Sequence, residues 1–156
     1  MTQPAASPDD ESVARGYLRC AAELSREDDD PDAVWEPEVD PDQRDYDLVH
    51  HTIRDGPPER AWALVIAVLR LTPDDRSMHL AAGPLEDLVK CQGAALVDRI
   101  EAEAARDERF RRALGGIWLS EADLPMAELR RIVRASDDGI KVIEWRPRRS
   151  AAEPRG

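Results

Sequence analysis

Apolar residues recur along the chain at helical spacing, in short stretches cut by proline and glycine. Val13, Tyr17, Ala21 and Leu24 share one face of a segment running to about Arg26. It is opened by Ser7-Pro8-Asp9-Asp10, which reads as an N-cap, a first-position proline and an acidic first turn. Asp40-Pro41-Asp42-Gln43 repeats the device, with Gln43 placed to complete a capping box. The helix it opens carries Tyr46, Val49, His50 and Ile53 on one stripe, and Gly56 followed by Pro57-Pro58 ends it. From Glu59 to Leu71, Trp62, Leu64, Val65, Ile66, Val68 and Leu69 cover every side, the mark of a buried central helix.

Thr72-Pro73-Asp74-Asp75 looks like a third cap, leading into a short helix that Gly83 would close with positive φ. Pro84 would open the next helix, with Leu85, Leu88 and Val89 as its apolar stripe and Gly93 as its stop. Ala94 to Arg106 supplies another amphipathic segment through Leu96, Val97, Ile100 and Ala104. Asp107 is placed to cap a helix through Phe110 and Leu114 that Gly115-Gly116 interrupts before Ile117-Trp118-Leu119. A last helix from Pro125 puts Leu129, Ile132 and Val133 on one face. Ile140 to Trp145 is the only run of strand character, with no second strand evident to pair with it. The fold class is therefore all-α, an array of about eight short antiparallel helices resembling a helical repeat, with at most one short C-terminal strand. Residues 1–145 form one expected domain, with an acidic connection near 27–40 that Trp35 would plug. Residues 146–156 form an expected mobile basic tail.

Charge changes this picture at one end. Of the net −11, all falls in residues 1–60, where 17 acids face 6 bases. Glu23 to Asp47 alone carries a net −10. Such a surface repels phosphate and argues against nucleic acid as a partner, favouring a basic protein or simply solubility. Asp28, Asp29, Asp30 and Asp32 are the residues expected to steer it. The N-terminus lacks a basic segment followed by an apolar one, and the longest apolar run, Ala61 to Leu69, is far short of the ~20 residues that span a bilayer. A cytoplasmic protein without a membrane or cofactor partner is expected. Cys20 and Cys91 match no metal or redox spacing and are read as reduced, half-buried thiols.

Leu80-Ala81-Ala82-Gly83-Pro84-Leu85-Glu86-Asp87-Leu88, with Ala61-Trp62 before it, and Ile100-Glu101, Asp107 to Arg111 and Leu114 to Trp118 after it, resemble an uncharacterised family of small bacterial helical proteins. That family is known only as a domain of unknown function. The likeness covers roughly residues 60–134 and implies no activity. It would place a histidine before Gly93, where this chain has Gln92.

Two clusters could carry chemistry. If the helices on either side of Gly93 pack antiparallel, Glu86 and Asp87 could converge with Asp98 and Glu101 in a groove, where crowded carboxylates raise one another's pKa and can serve acid–base or metal chemistry. Against this, Glu86 as the third residue of a helix that Pro84 opens suits a helix N-terminus, and Glu101 can pair with Arg109 or Arg111. Asp47, His51 and Asp55 lie one turn apart on one line, a spacing open to a metal but equally an exposed acidic helix face. No nucleophile elbow and no phosphate loop occur. Two functions stand: an interaction module of adaptor, antitoxin or immunity type that binds a basic protein, using Glu86, Asp87, Asp98 and Glu101, and an enzyme or metal protein built on the Glu86 and Glu101 carboxylates. The first is preferred, because caps and packing already account for the motif residues.

Overall fold

The structure, a computed structural model, describes residues 8–27, 41–73, 78–136 and 139–143. The chain is all-α, with six helices among the described residues: α1 (Pro8–Glu27), α2 (Pro41–Asp55), α3 (Pro58–Leu71), α4 (Met78–Arg106), α5 (Glu108–Gly115) and α6 (Met126–Ala135). Two short strands, β1 (Trp118–Ser120) and β2 (Lys141–Ile143), complete it. Each of the first three helices starts at a proline, whose fixed φ suits the first turn and whose missing N–H has no partner there. The acidic stretch with Trp35 and Asp28, Asp29, Asp30 and Asp32 lies outside the described residues, as do Ser7, Asp40, Asp74 and Asp75.

α3 is the buried helix its composition predicts, with Trp62, Leu64, Val65 and Val68 almost wholly covered. Trp62 packs obliquely on Phe110, ring centres 5.7 Å apart, and Arg99 lies over the Trp62 ring at 4.7 Å while pairing with Glu59 at 2.7 Å. Thr72 does not open a further helix. Its N–H and its hydroxyl both turn back to the Val68 carbonyl, the hydroxyl at 2.8 Å, and so close α3.

The largest departure from expectation is α4. Three short helices separated by Gly83-Pro84 and Gly93 are one helix of 29 residues, about 43 Å long at the usual rise. It touches every other helix and is the spine of the fold. This merger accounts for six helices rather than eight. Gly83 is therefore helical and does not take the positive φ of a C-cap.

A proline inside a helix leaves the carbonyl four residues back without its N–H. Here that carbonyl belongs to Leu80, and the hydroxyl of Tyr17 from α1 donates to it at 3.2 Å. The helix can thus continue through Pro84 because another helix meets the orphaned acceptor. Gly93 does a different job. A Cβ there would lie 3.1 Å from a methyl of Leu124 and 3.6 Å from one of Ile132, so its absence lets α6 and the loop before it press against α4.

β2 does have a partner. It pairs in parallel with β1, in the register Trp118 to Lys141, Leu119 to Val142 and Ser120 to Ile143, and the crossover runs through α6. The expected isolated strand missed this because Ile117-Trp118-Leu119 is too short to announce itself, and parallel pairing joins segments distant in sequence. Asp107 caps α5 as its position predicts, accepting from the N–H groups of Arg109 and Phe110.

Candidate functional site

Continuity of α4 decides where its carboxylates go. Glu86 and Glu101 sit fifteen residues apart on one helix, about 22 Å along its axis. The expected groove between two antiparallel helices does not form, because the two helices are one. Nor is Glu86 in a first turn: it lies well inside α4, with one oxygen 2.6 Å from the Lys90 ammonium and the other accepting the Trp118 N–H at 2.9 Å. Lys90 holds its proton more tightly for that hydrogen bond.

Asp98 and Glu101 do come together, on Arg131 of α6. The guanidinium donates to both carboxylates, one bond to Glu101 measuring 2.9 Å. These hydrogen bonds hold the Glu101 carboxyl below the usual carboxylate range and raise Arg131 in turn. This is a fastener between α4 and α6, and the arginine offsets the like-charge repulsion that acid–base chemistry would need.

Asp87 takes part in a cluster that the sequence reading did not assemble. Its carboxylate lies 2.9 Å from Nδ1 of His50. The His50 ring leans on Tyr46, 4.6 Å between centres, and Tyr46 stacks almost parallel on Tyr17 at 5.1 Å. Burial pushes both phenols up. The stripe of Tyr46 and His50 on α2 was the available signal, but Tyr17 and Asp87 arrive from other helices. Nε2 of His50 is buried with no hydrogen-bond partner among the described residues. One turn further along α4, Gln92 donates to the carbonyls of Ile53 at 2.6 Å and Gly56 at 3.3 Å, closing the end of α2. Where the family resemblance would place a histidine, this chain thus has a helix cap.

The Asp47, His51 and Asp55 line stays on the exposed face of α2. His51 contacts Asp55 at 3.3 Å, and Asp47 accepts from Gln43 at 3.1 Å. No group of three potential metal ligands gathers among the described residues. Cys20 is buried and Cys91 exposed, rather than both half-buried.

A groove of about 450 Å³ lies between the first half of α4 and the turn from α5 into β1. Ala82, Gly83, Ala113 and Gly116 line it with small side chains, and Met78, Glu86, Arg112 and Trp118 stand around them. Trp118 is 51% exposed, a large apolar surface left open to water. The Lys141 ammonium sits 5.0 Å from its ring centre and fixes one side of it. Gly83 is exposed in this groove, and a Cβ there would meet only the Tyr17 hydroxyl, at 3.9 Å. Nothing among the described residues needs that position to be glycine, although glycine within a helix costs roughly 0.5–1 kcal/mol relative to alanine. Of the residues singled out from sequence, Gly83 and Glu86 belong to the groove. Trp118 was missed as a site residue because only tertiary folding brings it there.

No helix among the described residues is long and apolar enough to cross a membrane. No curated protein and no solved structure matches the chain. A family model described as a family of unknown function does match, over residues 36–138, which spans α2 to α6 and every residue of the groove. Two thirds of the chain lies within that match, and the chain belongs to this family, DUF6869.

Proposed function

We propose that this chain is a protein-interaction module, acting in the cytoplasm, whose groove beside Trp118 takes a segment of a basic partner protein. The observation that carries this reading is the half-exposed Trp118 at a groove lined with small residues. Tryptophan is among the residues enriched at the energetic centres of protein interfaces. Gly83 allows the partner's backbone to approach α4 closely, which gives its helix-weakening presence a purpose. The net −11 favours a positively charged partner, and the run containing Asp28, Asp29, Asp30 and Asp32 would raise its association rate. Glu86 contributes by holding the backbone of Trp118 in place. Asp87, Asp98 and Glu101 are engaged with His50 and Arg131, so they serve the fold more than a partner. The same pairing leaves less support for a carboxylate enzyme or metal protein at Glu86 and Glu101.

The test compares the proteins retained from a lysate by the wild type and by Trp118→Ala, at low and at high salt, with far-UV circular dichroism as the check on folding. A basic protein held by the wild type, lost with the folded variant and weakened by salt is the expected result. Identical sets of bound proteins would overturn the groove as the site. For the partner so found, neutralising Asp28, Asp29, Asp30 and Asp32 together slows association severalfold at low salt, with dissociation nearly unchanged.

A further inference from the structure

The two edges of the β1–β2 sheet are treated differently. On β1, the N–H of Trp118 donates to Glu86 at 2.9 Å and that of Ser120 to Asp123 at 2.6 Å. Residues two apart present their N–H groups on the same side of a strand, so both outward donors of β1 are occupied by carboxylates. Another strand therefore finds no free donors there, a protection that natural sheets commonly give an edge.

The same alternation turns the N–H and C=O of Leu119 towards β2. In a parallel pair, a residue that bonds across with both groups faces a neighbour whose own two groups point away. That neighbour is Val142. Its backbone donor and acceptor thus lie on the outer edge of β2, where no strand pairs among the described residues. The Val142 side chain points to the same face as Leu119, yet Leu119 is 1% exposed and Val142 is 41% exposed. At this point, among the described residues, an apolar side chain is half exposed and a pair of backbone hydrogen-bonding groups faces no strand.

We infer that the outer edge of β2 pairs antiparallel with β2 of a second copy of this chain, with Val142 on the two-fold axis. Three features of that pairing favour a second copy over another occupant. Antiparallel pairing centred on Val142 brings the outward N–H of each chain to the C=O of the other, so one residue satisfies itself through symmetry. The two half-exposed valine side chains meet across the axis on the core-side face, extending the row that begins at Leu119 and covering apolar surface that each leaves open. The capped edge of β1 then ends the assembly: a sheet in the order β1, β2, β2, β1 has carboxylates on both outer rims and cannot grow into a fibre. A two-stranded sheet is marginal alone, whereas four strands share their order. The contact is small, so the dimer is weak and reversible.

The experiment is the molar mass of the purified full-length chain by light scattering, from ~1 to ~100 μM, alongside oxidation of Val142→Cys in a Cys91→Ser background. A dimer places the two residues at 142 about 5.5 Å apart at Cα, within disulfide reach. A cysteine at 141 would sit opposite residue 143 of the other copy, about 8 Å from its own mate and outside that reach. The expected results are a mass that rises towards twice 17.5 kDa with concentration, rapid crosslinking at 142 but not at 141, and association weakened at least ~tenfold in Val142→Lys. A chain monomeric at ~100 μM with no crosslink overturns the inference, and it is the result expected if a strand of another protein, or residues 144–156, takes that edge. Open-ended oligomers overturn it as well. Should Val142→Lys fail to fold, the contrast between positions 142 and 141 decides alone.

Discussion

Gly83 and Gly93 stand ten residues apart on α4, and both look in sequence like places where a helix ends. Neither ends one. Their surroundings are opposite: Gly93 is buried where α6 and its preceding loop press in, with methyls of Leu124 and Ile132 within 4 Å of where a Cβ would be. Gly83 is exposed, with ordinary space around it. Glycine at 93 is demanded by what the chain packs there, while glycine at 83 is demanded by nothing described in the chain. A small residue kept without an internal reason points outward, and that contrast directs attention to the groove.

The contrast can be scaled and broken by substitution. The largest effect belongs to neither glycine: Trp62→Ala empties the centre of α3 and is expected to cost ~3–5 kcal/mol, read from denaturant unfolding. A midpoint unchanged from wild type would mean that α3 is not the core. Next comes Gly93→Val, which drives methyls into Leu124 and Ile132 and should cost ~1–3 kcal/mol. If it is neutral, the close crossing of α6 is wrong. Tyr17→Phe removes the donor that serves the Leu80 carbonyl beside Pro84 and should cost ~1–2 kcal/mol. In a Pro84→Ala background the helix recovers its own N–H, so the same substitution should cost clearly less. An equal cost in both backgrounds would separate Tyr17 from the proline.

Gly83→Ala has the opposite sign. It should stabilise by ~0.4–1 kcal/mol, since a helical φ suits alanine and the unfolded chain loses freedom. With the positive φ of a C-cap, it would destabilise. If the groove binds a partner closely, the same variant should gain stability and lose affinity. The smallest effect concerns the Arg131 fastener at the α6 crossing. Arg131 lowers the Glu101 carboxyl in the folded state, so its stabilisation is present above the ordinary carboxylate range and disappears as pH falls through the lowered value. Melting of wild type and Glu101→Gln should therefore differ slightly at neutral pH and converge by ~pH 2. A gap that widens in acid would give the pair the wrong sign.

Local chemistry made some of this legible. Pro8, Pro41 and the Pro57-Pro58 pair mark the starts of α1 to α3 because a proline acts within one turn of itself, and Asp107 caps α5 for the same reason. The all-round apolar pattern of α3 reports burial without reference to any partner. What failed depended on residues far away. Nothing beside Pro84 reveals that Tyr17, 63 residues before Leu80, will meet the Leu80 carbonyl. Nothing beside Gly93 shows the Leu124 and Ile132 methyls. The family motif contains Gly83 and Glu86, two residues that line the groove, but the groove's shape waited on Trp118, which only tertiary folding delivers.

The bond between Tyr17 and the Leu80 carbonyl also bears on the order in which the chain is made. A ribosome releases α1 well before Pro84, so the hydroxyl is already waiting when the interrupted turn emerges, and α4 can be mended as it grows. β1 has the opposite timing. Its partner strand is synthesised after it, and until then Leu119 is a nascent apolar strand with an unpaired edge. α1 and α4 can join while the chain is being translated; β1 must wait until β2 emerges, and chaperone binding during synthesis should concentrate there.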